Sequence, residues 1–165
     1  NGVLTLNNEY GKLWYSPGDN NIKLILTGKG LHKINADETC NIQTLNTITS
    51  DTFGLTLGGK LNIARINLDC TLFYYYNTSP VGGHIYLEGH SDHIRMYNGS
   101  LMAVDARNLT CDYGTVETSS KTDMHVFVDK QLYYSIRGTG NIYVYGDPDE
   151  IIAVELFSTG RLIPQ

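Results

Sequence analysis

The sequence predicts an all-β protein: a right-handed β-helix-like stack of repeated rungs, with a β-sandwich as the alternative fold. Three observations predict it. The composition suits strands and turns, apolar residues alternate with period two between turn signals, and one segment recurs 57 residues later.

Composition comes first. Charged residues make up 18% of the 165, below the roughly 25% of an average soluble domain. Thr, Asn, Ser, 17 Gly and 12 Tyr take their place. That mix favours short strands over long surface helices, which draw on Glu, Lys, Gln and Ala. Hydrophobic residues at 41% are enough for a core, and the length fits a single domain over 1–165. The net charge of −5 without a Lys/Arg cluster removes the attraction that dominates nucleic-acid binding. No apolar run reaches the length of a transmembrane helix. The start, with strand-like Val3-Leu4-Thr5-Leu6, fits either a trimmed exported protein or a cytoplasmic one.

Alternation comes second. Leu24–Leu26, Leu55–Leu57, Leu61–Ile63, Ile85–Leu87, His125–Val128 and Ile142–Tyr145 read as strands. Residues 149–157, the best helix candidate, carry β-branched residues between turns and read as a strand too. Turn signals stand between these runs at Ser16–Asp19, Thr27–Gly30, Gly58-Gly59, Gly82-Gly83, Asn98-Gly99 and Gly146–Asp149.

The repeat is the most informative feature. Residues 83–94 laid over 140–151 match at six of twelve positions, with Gly83, Ile85, Tyr86 and Gly89 falling on Gly140, Ile142, Tyr143 and Gly146. After a four-residue shift, Asn98–Leu101 falls beside Thr159–Leu162, and Gly58–Ile63 echoes in Gly82–Leu87 at 24 residues. An offset of 57 equals about three coils of ~19 residues, as in a stack whose units cannot bury their apolar sides alone. Ile85 and Ile142 should then point inward at equivalent places.

Residues 118–148 carry Leu132, Ile136, Gly138, Gly140, Asn141, Ile142, Tyr143, Tyr145, Gly146 and Pro148 in the order L-x-x-x-I-x-G-x-G, an alternating apolar run, then G-x-P. In this the chain resembles the auto-transporter adhesin family with a head GIN domain. Residues 101–120 look like the preceding rung and the opening NGVLTL like an early strand. The resemblance covers most of the chain and implies a β-helix-like, exported bacterial protein, periplasmic or on the cell surface, often lipid-anchored through a removed N-terminal segment. It implies no assigned activity, no catalytic residue and no cofactor. It also implies a domain truncated at its N-terminus, with an incomplete first rung. Gly83, Ile85, Gly89, Gly138, Gly140, Asn141, Ile142, Gly146 and Pro148 carry over as structural positions only.

His84, His90, His93 and Asp92 form the densest set of metal-ligand types, but a zinc or copper site needs convergence near 2.0–2.2 Å, and polar residues on an outer face explain them better. Asp149 stacks in register with Asp92 by the repeat, as paired carboxylates of a glycan-active β-helix enzyme would. Asp147-Pro148-Asp149 is, however, ordinary turn chemistry. Gly28-Lys29-Gly30 and Gly138-Thr139-Gly140 lack phosphate-loop spacing, and no serine sits in a nucleophile elbow. Cys40, Cys70 and Cys111 show no CxxC spacing and read as buried thiols rather than a disulfide. Sequons fall at Asn77, Asn98 and Asn108.

Tyrosines are the remaining signal. Tyr74-Tyr75-Tyr76 and Tyr133-Tyr134 alternate between faces, and Tyr86 and Tyr143 share a repeat position where one ring could stack on the other. Exposed tyrosines dock sugars or proteins, although cross-strand packing accounts for them better. The resulting expectation is a non-enzymatic, adhesin-like surface or periplasmic domain. Its flat β face takes protein or glycan through Tyr86, Tyr143 and Tyr145. A glycan-active enzyme is the alternative, and a purely structural spacer the third reading. Unpaired backbone on an end rung would invite self-association.

Overall fold

A computed structural model describes residues 2–6 and 23–165 of the chain. Every regular element in it is a strand. β1 (Lys33–Ala36), β2 (Asn41–Gln43) and β3 (Ile48–Leu57) start the stack. The long β4 (Leu61–Asn77), β5 (Gly82–Asn98) and β6 (Leu101–Thr118) form its middle. β7 (Met124–Phe127), β8 (Gln131–Ile136), β9 (Ile142–Tyr145), β10 (Glu150–Leu156) and β11 (Leu162–Pro164) complete it. All pairings are parallel, and the chain coils through about seven turns. The β-helix stands; the sandwich does not.

Each rung contributes one residue to each vertical column. One inward column runs Ile42, Ala64, Ile85, Val104, Met124, Ile142 and Leu162. Ile85 and Ile142 are both buried and stand in equivalent places three rungs apart. The 57-residue recurrence is therefore three coils. A second inward column, Phe53, Phe73, Ile94, Gly114, Leu132 and Ile151, backs it from the opposite wall. Phe53 and Phe73 stack in this column at 6.3 Å. Neighbouring rungs thus share one continuous core, which no rung could bury alone.

Corners are built in two ways. On one side buried polar side chains cap the turn. Asn77 and Asn98 accept the backbone N–H two residues on, from Ser79 at 3.0 Å and Ser100 at 3.3 Å, and Thr118 does so from Ser120 at 3.1 Å. The other corner interrupts β4, β5 and β6 by one unpaired residue each, beside the small inward column Ser50, Cys70, Ser91 and Cys111. There Ser50 and Ser91 donate their hydroxyls to the carbonyls of Thr52 and His93, each at 2.7 Å.

Several expectations need correction. Val3–Leu6 and Leu24–Leu26 are not strands; both are exposed, because no described rung lies beside them to share their apolar side. Gly82-Gly83 is no turn but the start of β5, where Gly83 takes φ +126° and a Cβ would meet the Asn62 carbonyl at 1.8 Å. Asn62 pairs with Gly83, so the echo at 24 residues is a true spacing of 21. Leu162 shares a column with Val104 rather than Leu101, which removes the shifted match at Thr159. The predicted turn at Ser16–Asp19 lies outside the described residues. Residues 149–157 do form a strand, β10.

Candidate binding face

Outward positions of the first wall make the candidate site. Its central column runs Gln43, Arg65, Tyr86, Asp105, His125, Tyr143 and Ile163. Parallel pairing brings these side chains about 4.8 Å apart along the stack, close enough for each ring or charge to lie on the next. The Arg65 guanidinium covers the Tyr86 ring at 4.9 Å, and His84 lies beside that ring at 6.0 Å. Further up, the His125 and Tyr143 rings stack at 4.6 Å and 7°. His125 Nδ1 bonds the Tyr145 hydroxyl at 3.1 Å. Arg107 lies over the Tyr145 ring at 5.4 Å and donates through Nε to Asp105 at 2.8 Å.

Tyr86, Tyr143 and Tyr145 thus share one wall. Tyr86 and Tyr143 do not stack on each other: Asp105 and His125 stand between them, and three rungs make roughly 14 Å. The residues that sequence alone missed are His125, Arg107, Asp105 and Arg65. They are scattered through the chain, and only the register joins them to the tyrosines. Partial burial and the Arg107 charge push the His125 pKa below its usual value, opposed by Asp105 and Asp123.

The histidine cluster is dispersed. His84 lies against Tyr86, His93 stacks on Tyr113 at 4.9 Å, and His90 bonds Thr110 at 3.1 Å and Asp92 at 3.2 Å. Among the described residues no three His, Cys, Asp or Glu side chains are placed to hold a metal. The carboxylate pair separates as well. His93, beside Asp92, runs up through Tyr113 and Gln131 to Glu150, beside Asp149. Three rungs place the two aspartates about 14 Å apart, beyond the ~5–9.5 Å between paired glycosidase carboxylates.

Concavities lie off this wall. A groove of about 480 Å³ follows the serine-cysteine corner, lined by His32, Asp51, Asp69, His90 and Asp92 among others. A second, of about 280 Å³, lies between Tyr133, Arg137 and Glu155 on the opposite wall. On that wall Tyr76 and Tyr97 stack at 5.2 Å, and the Tyr74 ring covers the open backbone of Gly54. Tyr75 faces inward and is buried.

The motif glycines answer two different backbone demands. Gly89 and Gly146, equivalent in the repeat, both take positive φ, +110° and +89°. Gly138 and Gly140 do not; they are small because a Cβ would strike the Ser120 and Thr122 carbonyls at 1.9 and 2.1 Å. Asn141 ties two rungs, its N–H donating to Asp123 at 2.8 Å and its side-chain carbonyl accepting from Arg161 N–H at 3.0 Å. Two of the three sequon asparagines, Asn77 and Asn98, are buried and closed to a glycan.

No curated protein and no solved structure matches the chain. Residues 1–148 match the family described as "Putative auto-transporter adhesin, head GIN domain", so β10 and β11 lie beyond the matched part. The match takes in most of the chain, which therefore belongs to that family.

Proposed function

We propose that this chain is a non-catalytic binding module of the cell surface or periplasm, held there through a lipid, and that its first wall takes a protein or glycan. The observation that carries the reading is the aromatic plate of His125, Tyr143 and Tyr145, fixed at its edge by Arg107 and Asp105. A flat plate with charged borders suits a broad ligand, since aromatic bodies supply contact area and polar tips supply direction. The family's adhesin description agrees with binding. The separation of Asp92 from Asp149 counts against the paired-carboxylate enzyme.

A glycan array and a pull-down from host or bacterial surface extracts test the reading. The parent is expected to bind, and Tyr143→Ala and Tyr86→Ala to weaken that binding at least tenfold with unchanged circular dichroism. Parent-like binding by both variants would remove the site from this wall.

A further inference from the structure

The two ends of the stack are complementary. At one end β10 pairs with β8 along one edge only; among the described residues nothing pairs with its outer edge. Exposed apolar side chains lie along it, with Val154, where the register with β8 slips by one residue, at 59% and Phe157, just past the strand, at 77%. Such an edge offers a row of unpaired N–H and C=O groups to any passing strand. At the other end Leu24, Ile25 and Leu26 have strand-forming character and, among the described residues, no strand pairing, with Ile25 60% exposed. The charges also match: residues 23–33 carry Lys23, Lys29 and Lys33 and no carboxylate, whereas Asp147, Asp149, Glu150 and Glu155 outnumber Arg161 at the β10 end.

We propose that the β10 edge takes a second copy of this chain, whose Lys23–Thr27 segment adds to it as a strand. The two ends of one molecule cannot meet this way. Six strand-to-strand steps separate β1 from β10, about 29 Å at the usual sheet spacing. Seven residues separate Leu26 from Lys33, at most about 25 Å when fully extended. The contact joins unlike surfaces, so it does not close on itself and copies add head to tail.

Sedimentation velocity on the 165-residue chain tests this, from micromolar up to roughly 1 mM, where a weak contact is populated. The parent should form an open series of species that lengthens with concentration. Val154→Lys and Ile25→Lys alter exposed residues, so both should keep the parent's circular dichroism while associating at least tenfold more weakly. The mixture is decisive. Val154→Lys keeps a working donor segment and Ile25→Lys a working edge, so together they should form one-to-one dimers that grow no further. A parent that stays monomeric throughout overturns the proposal. So does Ile25→Lys associating like the parent, or a mixture that forms no dimer.

Discussion

The imidazole of His125 lies nearly parallel to the Tyr143 ring, 4.6 Å between centroids, while its Nδ1 reaches the Tyr145 hydroxyl at 3.1 Å. The groups facing it come from three directions: Asp105 and Arg107 on β6, Asp123 just before β7, and the two tyrosines on β9. Desolvation and Arg107 together outweigh the carboxylates and depress its pKa.

That depression has a sign in stability. The folded state prefers neutral His125, while the unfolded chain takes up a proton near pH 6.5. Stability contributed by the neutral ring is complete above that value and is lost as pH falls through it, until the folded pKa is passed. Thermal melts at pH 7.5 and 5.5 should show a larger drop in Tm for the parent than for His125→Phe, which keeps the stack and cannot titrate. Equal drops would show that the ring is as easily protonated in the fold as out of it.

Adjacent glycines in β5 separate two backbone demands. Gly83 has φ +126° and no room for a Cβ, which would lie 1.8 Å from the Asn62 carbonyl. At Gly82 a Cβ would rest 3.7 Å from the Lys60 carbonyl, an ordinary contact. Gly83→Ala should cost at least ~2 kcal/mol in urea denaturation, through strain and forced rung separation. Gly82→Ala should change stability by no more than about 1 kcal/mol and can raise it by restricting the unfolded chain. Similar losses at both positions would argue against a strained backbone at Gly83.

What the sequence made legible follows from the same stacking. Ile85 and Ile142 could be matched because each rung asks the same thing of its inward residue. Gly89 and Gly146 could be matched because positive φ recurs at their corner. Strand length was not legible: β4 runs 17 residues and turns a corner without Gly or Pro. That bend relies on small inward residues such as Cys70 and Ser91, which carry no turn signature on their own. The binding wall was half legible. Repeat logic paired Tyr86 with Tyr143 but could not place Asp105 and His125 between them, because outward residues are not constrained to resemble each other.

Asn98 tests the buried polar corner. Fully buried, its amide donates to the Met102 carbonyl at 2.8 Å and its oxygen accepts the Ser100 hydroxyl at 2.7 Å and N–H at 3.3 Å. Asn98→Ala leaves those Ser100 donors without this acceptor in a dry site, which should cost about 2–3 kcal/mol by urea denaturation. A loss below ~0.5 kcal/mol would mean that water reaches the corner.

Cysteine reactivity should follow the columns. Cys70 and Cys111 share an inward column with Ser91 between them, so their backbones lie roughly 9.6 Å apart, too far for a disulfide, whose Cα atoms sit within ~6.8 Å. Cys111 is buried and donates to the Phe127 carbonyl at 3.0 Å; burial, with Asp112 and Asp129 nearby, pushes its pKa up to about 12. Thiolate is the reactive form, so Cys111 is protected both by access and by protonation. Cys40 is half-buried, its thiol bonding the Asn62 side chain at 3.5 Å, and burial raises its pKa too. Under native iodoacetamide at pH 8, mass spectrometry should find Cys40 alkylated first and Cys111 unmodified until denaturant is added. Early labelling of Cys111 would require the upper rungs to open while the rest of the stack stays folded, and would place the weakest part of the coil at β6–β8 rather than at its ends.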